Sequence, residues 1–135
     1  MFFESVEELT LPEEALKSWL KQAVLDHHKE LESLNIILCT DDFLHDLNVQ
    51  YLDHDTLTDI ITFDYNHDDQ VNGELYISLD RVEENARENK VSTLEELHRV
   101  MIHGVLHLVG YKDKSPEDQT EMRGREDYYL SLRTF

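Results

Sequence analysis

The chain has 135 residues and a mass of 16.0 kDa, with 40% hydrophobic and 9% aromatic residues. Residues 1–135 therefore read as a single domain able to bury its own core, which excludes global disorder. Twelve Lys/Arg against 30 Asp/Glu give a net charge of −18, which argues against a general nucleic-acid binder carrying a basic patch.

The charge is unevenly spread. Residues 1–80 hold 3 Lys/Arg and 19 Asp/Glu, whereas residues 81–135 hold 9 and 11. An anionic partner is thus expected to meet the C-terminal part, and the acidic first part reads as a solvated surface that aids solubility. The longest apolar runs, such as Ile36-Ile37-Leu38-Cys39, are far too short to span a bilayer. Met1-Phe2-Phe3-Glu4 has neither the basic nor the apolar region of a signal peptide, and Cys39 is alone. Both features lead us to expect a cytoplasmic, reducing environment.

Phe2–Ser5 reads as a first strand. Pro12 suits the first position of a helix, where its missing N–H would be unpaired anyway. Leu16, Leu20, Ala23, Val24 and His27 then recur on one stripe of a helix over Glu13 to Lys29. His27-His28 are expected at its end, favoured by the negative pole of the helix dipole. Leu34 to Cys39 predicts a buried strand. Thr40-Asp41-Asp42 reads as an N-cap with an acidic first turn, followed by Phe43, Leu44, Leu47 and Tyr51 at helical spacing. Ile60 to Tyr65 is β-branched and aromatic, Asn66 to Asn72 is turn-like, and Glu74 to Ser78 alternates, which together predict a hairpin. Arg81 to Lys90 is a short polar helix. Ser92 and Glu95 are placed for a capping box on the next helix, about Thr93 to Val109, and Ser115-Pro116-Glu117-Asp118 starts the last.

The order β-α-β-α-β-β-α-α-α predicts an α+β fold: one small mixed sheet of about four strands, packed by about five helices on one or both faces. On the helix from Thr93 to Val109, Met101, Ile102, Val105, Leu106, Leu108 and Val109 cover most of the circumference. A helix apolar nearly all round is buried, so it is expected at the centre.

His103 and His107 lie on that helix, one turn apart on one face. Gly110 is placed to end the helix in a left-handed conformation and turn Tyr111-Lys112-Asp113 back toward them. His103, His107 and Asp113 make two imidazoles and a carboxylate, a catalytic zinc set with one position left open. The spacing matches that of zinc metalloproteases, but position 104 is Gly where those enzymes carry their general base Glu. A glycine inside a helix costs about 1 kcal/mol relative to Ala, so Gly104 is expected to make room for something close to the backbone.

The run His103-Gly104-Val105-Leu106-His107-Leu108-Val109-Gly110-Tyr111 resembles the signature of the YbeY family of bacterial zinc-dependent single-strand endoribonucleases of rRNA maturation. Leu47-Asn48-x-x-Tyr51, Thr58-Asp59-Ile60-Ile61-Thr62-Phe63 and Gly73-Glu74-Leu75-Tyr76-Ile77-Ser78 extend the likeness over essentially the whole chain. The resemblance implies one Zn2+ per chain, a single-stranded RNA or rRNA substrate (16S 3′ end) with a role in ribosome quality control, and a ribosomal protein or ribosome-associated GTPase as partner. It also marks three departures. Asp113 stands where the family usually has a third His, Leu52 where it has Arg, and Leu57 where it has Pro. An aspartate adds negative charge and makes the metal a weaker Lewis acid.

Lys112 and Lys114 flank Asp113 and are candidate phosphate contacts in place of the missing Arg. His54, between Asp53 and Asp55, is a candidate proton carrier or an exposed loop residue. Glu96 shares the stripe of His103 and is expected to be solvated. Asp59 is expected to anchor a loop or to orient a ligating His. Arg123 and Arg125 either face RNA or pair with neighbouring Glu. The competing readings are a ribosome-assembly binding factor with a structural or vestigial metal site, and a metal-dependent hydrolase of another substrate class. Two imidazoles and a carboxylate also suit iron, cobalt or nickel.

Overall fold

The computed structural model describes residues 2–4, 11–52 and 58–135. His54, with Asp53, Asp55 and Leu57, lies outside the described residues, as does the side chain of Leu52. The elements are β1 (Phe2–Glu4), α1 (Glu13–Asp26), β2 (Glu30–Cys39), α2 (Asp41–Leu52), β3 (Ile60–Asp64), β4 (Gln70–Ser78), α3 (Leu79–Asn89), α4 (Thr93–Leu108) and α5 (Pro116–Ser131). The expected order and the α+β class hold, with a sheet of four strands and five helices among the described residues.

The strands run β1-β2-β4-β3. β1 and β4 both pair parallel with β2, and β3 pairs antiparallel with β4 as the expected hairpin. β2 begins at Glu30, earlier than the apolar run Leu34 to Cys39 suggests. Its first six residues are exposed or half-buried, and a bulge sits between Leu31 and Ser33. Only its last four residues are fully buried, and those are the ones hydropathy reveals.

One face of the sheet carries the main core. Leu16, Leu20, Ala23 and Val24 of α1, Leu75 and Ile77 of β4, and Leu97, Met101, Ile102, Val105 and Leu106 of α4 are at most 2% exposed. The opposite face packs a smaller core of Cys39, Leu44 and Ile61, flanked by Phe43, Leu47, Phe63 and Tyr76. α2 supplies Phe43, Leu44 and Leu47, so helices cover both faces. Among the described residues no helix is long and apolar enough to cross a membrane.

The expected caps form where short polar side chains meet free helical N–H groups. Thr40 Oγ1 accepts from Phe43 N at 3.2 Å, and Ser92 Oγ accepts from Glu95 N at 3.1 Å. The reciprocal capping box expected at Ser92 and Glu95 forms instead at Ser115 and Asp118, at the start of α5, while the Glu95 carboxylate pairs with Arg133 at 2.6 Å.

Gly104 faces the sheet. A Cβ built there would stand 2.8 Å from Leu75 Cδ2 and 2.9 Å from Ile60 Cδ1. The close approach expected at this glycine is therefore that of α4 to β3 and β4, and a side chain at 104 would point into the core. Gly104→Val is expected to cost about 1–3 kcal/mol in urea unfolding, because overpacking displaces Leu75 and Ile60. Gly104→Ala should cost less, since Ala returns about 1 kcal/mol of helix propensity. Equal stability of the valine variant and the parent would show that the two elements separate freely.

His98 on α4 is buried against the rings of Trp19 and Phe135, at centroid distances of 6.1 and 5.2 Å. Its Nδ1 accepts from Arg133 Nη1 at 2.8 Å, and its Nε2 has no partner among the described residues. Burial, and then the Arg133 charge, hold the imidazole below its usual pKa of 6.5, with Glu95 opposing. The unfolded chain thus binds the proton more readily than the folded one, and stability falls as pH drops below about 6.5. His98→Phe is expected to flatten the fall in urea midpoint between neutral and mildly acid pH. Asp59 and Glu96 have raised pKa values and act with the opposite sign, so the test is the parent–variant difference. Parallel curves for the two proteins would refute it.

Candidate metal centre

α4 ends in a Schellman turn. Tyr111 N donates to Leu106 O at 3.0 Å, Gly110 N donates to His107 O at 3.1 Å, and Gly110 takes φ 114°. Asn66 of the β3–β4 turn holds this end in place, its Nδ2 donating to Leu108 O at 2.7 Å. The chain then doubles back and brings Asp113 beneath the two histidines, as the spacing predicts.

Three atoms converge there. His103 Nε2 and His107 Nε2 are 3.0 Å apart, and Asp113 Oδ2 lies 3.3 Å from each. The far side of each ring fixes its tautomer. His103 Nδ1 donates to Glu126 Oε2 at 2.6 Å, and His107 Nδ1 donates to the Tyr111 carbonyl at 3.0 Å. Carboxylate and carbonyl oxygens only accept, so both Nδ1 atoms carry hydrogen and both Nε2 lone pairs face the carboxylate.

Three electron-pair donors gathered at one point call for a shared cation. The donor atoms of His103, His107 and Asp113 all lie within 4.8 Å of one another, close enough for one ion. A tetrahedral ion with bonds of about 2.0–2.1 Å sets its ligand atoms about 3.3 Å apart, close to what this trio shows. Asp113 is 41% exposed and the imidazoles 23% and 28%, so the trio opens on solvent. The residues present fit a metal ion with an open coordination position.

Glu126 on α5 was not among the residues singled out in the sequence. It is 5% exposed and accepts from Arg99 Nη1 at 2.8 Å as well as from His103. Arg99 also pairs with Asp127 at 2.6 Å. Burial alone would lower the His103 pKa, but the hydrogen bond and charge of Glu126 outweigh it and hold the imidazole above its usual value. A signal for Glu126 was present: it falls on the apolar stripe of α5 with Met122, Tyr129 and Leu130, a position where a carboxylate needs a buried partner.

Two cavities flank the trio and share His103, Asp113 and Asp59. One, about 490 Å³, is lined by Asn48 of α2, by Thr62 and Asp64 of β3, and by His107. The other, about 390 Å³, lies between α3, α4 and α5. Asp59 precedes β3 and its carboxyl is half-buried at this junction. Desolvation raises its pKa, against the opposing pull of His103 and of the backbone N–H groups of Asp59 and Ile60. Of its two expected roles the loop anchor is the one it fills, since the backbone bonds lie within its own loop, whereas His103 is oriented by Glu126 and His107 by the Tyr111 carbonyl.

The remaining candidates separate. Lys112 and Lys114 are exposed on either side of Asp113 and line neither cavity. Glu96 corrects an expectation: it is 5% exposed rather than solvated, and accepts from Asn89 Nδ2 at 3.3 Å. The helices α3 and α5 close over it. His27 stands at the C-cap of α1, as expected, and its Nε2 lies 2.9 Å from the Tyr111 hydroxyl, away from the trio. Arg125 lies over the Tyr111 ring at 5.9 Å, whereas Arg123 lines the smaller cavity.

A family model described as Endoribonuclease YbeY matches residues 3–133. A relative named Endoribonuclease YbeY from Flavobacterium psychrophilum is 51% identical over 115 residues, 85% of this chain and 82% of that protein. One of the same name from Bacteroides thetaiotaomicron is 43% identical over 115 residues, 85% of this chain and 84% of that protein. A solution structure of a Thermotoga maritima protein superimposes with a TM-score of 0.66 at 32% identity, covering 97% of this chain and 87% of that one.

Proposed function

This chain belongs to the YbeY endoribonuclease family, and from that premise we propose that it is a zinc-dependent hydrolase of single-stranded RNA, acting in rRNA maturation in the cytoplasm. The observation that carries the metal half is the convergence of His103 Nε2, His107 Nε2 and Asp113 Oδ2 within 3.3 Å, with both imidazole tautomers fixed from behind. The RNA half rests on family membership.

When bound, the ion would polarise a phosphodiester oxygen and acidify water. The protein's part is to hold the ligands before substrate arrives. Glu126 and the Tyr111 carbonyl keep both imidazoles turned toward one point, so little reorganisation is left to the reaction. Gly104 removes the metalloprotease base and lets α4 seat on the sheet, which disfavours the peptidase reading. Asp59, which lines both cavities and is not one of the three ligands, would be the group to accept a proton from the attacking water. Lys112 and Lys114, exposed beside Asp113, are the proposed contacts for phosphates lying outside the cavities. Apart from Asp59 and Asp64, which line the cavities, the acidic residues 1–80 would have to face away from the RNA. A ribosomal protein or a ribosome-associated GTPase would supply further basic contacts.

The test is direct. Protein purified without a histidine tag is expected to contain about one zinc per chain and to cut single-stranded RNA but not duplex. Chelator should abolish cutting and added zinc restore it. A metal-loaded protein that cuts no RNA would overturn the proposal and leave the assembly-factor reading in its place.

A further inference from the structure

The smaller cavity extends from the ligand trio along the edge of the core, where Val100 and Met122 line it. It is bounded by α3, α4 and α5, and meets the trio at His103 and Asp113. Its polar lining includes Asn85 and Asn89 from α3 and Gln119 and Arg123 from α5.

Four carboxylates line it and each has partners: Asp113 faces the two imidazoles, and Asp59 is bonded to backbone N–H groups of its own loop. Glu126 is held by Arg99 and His103, and Glu96 by Asn89. Arg99 is in turn neutralised by Glu126 and Asp127. Arg123 differs: it forms no ion pair among the described residues, and its charge reaches Glu96 only at longer range. Of the two arginines lining this cavity it is thus the one without an ion-pair partner among the described residues, in a chain of net charge −18. The Asn85 side chain makes no hydrogen bond among the described residues, and the Gln119 amide donates to the Asp113 carbonyl at 3.1 Å while its oxygen remains available to accept. Amides offer both donors and acceptors and so match the edge of any nucleobase. A cavity of about 390 Å³ falls in the range of small-ligand sites.

We propose that this cavity is a nucleotide subsite. It would take the nucleotide next to the scissile phosphate, with the base against Asn85, Asn89 and Gln119 and its phosphate on Arg123. The inference rests on the RNA reading above and adds where the strand lies: on the α3–α5 side of the metal.

The experiment measures binding of a ten-nucleotide 2′-O-methyl RNA to the zinc-loaded full chain across a series of salt concentrations. Arg123→Ala is expected to weaken binding at least about tenfold, the loss of one charge-assisted contact. It should also reduce the slope of log affinity against log salt by about 0.7, the value for one phosphate on a single strand. Zinc content should not change. Arg123→Lys should recover most of the affinity, and Arg87→Ala, exposed on α3 outside the cavity, should match the parent. Asn85→Ala should alter the relative affinity for oligo(A), oligo(C) and oligo(U) by at least about threefold. Unchanged affinity and salt slope in Arg123→Ala, with an unchanged base ranking in Asn85→Ala, would overturn the subsite. A parent protein that binds zinc but neither binds nor cuts RNA would instead overturn the functional reading beneath it.

Discussion

His107→Ala is expected to leave the purified chain with less than about a tenth of the parent's zinc and to lower single-strand RNA cleavage by at least about a thousandfold, the several kcal/mol that the ion supplies. His107 stands at the centre of the trio, 3.0 Å from His103 Nε2 and 3.3 Å from Asp113 Oδ2, and its Nδ1 ties the ligand set to the turn at Tyr111. Its loss removes one ligand and one tether. The ring is 28% exposed, so an alanine there leaves no closed core cavity and the fold should survive. Asp113→Ala is the graded companion. Its side chain is 41% exposed and both imidazoles remain, so zinc should bind more weakly rather than vanish. Metal analysis and circular dichroism on the same samples separate loss of the ion from loss of the fold. Retention of zinc by folded His107→Ala would mean that the trio is not the metal centre. Loss of zinc with normal RNA cleavage would mean that the ion is structural.

The part of this site carried by local sequence was legible. His103, His107, Gly110 and Asp113 fall within eleven consecutive residues, and helical geometry with one left-handed glycine suffices to bring three of them together. The elements and their order were legible for the same reason, since capping residues and hydrophobic period act over a few positions. Strand order is another matter. Nothing near β2 says that it lies between β1 and β4 rather than beside β3. The start of β2 was missed because Glu30 to Ser33 reach solvent and so carry no continuous apolar signal. Glu96 misled for the converse reason: it is a charged residue on a helix, buried only because α3 and α5 close over α4. The residue that completes the site, Glu126, is 23 positions from His103 on another helix. The pairing depends on how α5 packs against α4, a tertiary fact that no spacing rule contains.

Glu126→Ala is accordingly the variant that best tests whether the packing of α5 serves the metal centre. Removing the carboxylate frees the His103 Nδ1 hydrogen and leaves the ring able to turn or to swap tautomer. A group that orients a ligating His contributes about 10–100-fold to metal affinity, and a loss of that size is expected in zinc competition with a chromophoric chelator. Glu126→Gln separates orientation from charge. The glutamine oxygen can still accept from Nδ1, while the negative charge that makes the imidazole a better donor is gone, so its loss should lie near the lower end of that range. Stability should follow a different order. Arg99 keeps its contact with Asp127 at 2.6 Å, so neither variant leaves a fully orphaned buried charge, and the alanine is expected to cost about 1–3 kcal/mol in urea. Gln should cost less, since it fills the same volume beside Met122 and Tyr129. If both variants bound zinc like the parent while Glu126→Ala lost stability, Glu126 would be a core residue pairing α5 to α4, and the orientation of His103 would rest on the ion alone.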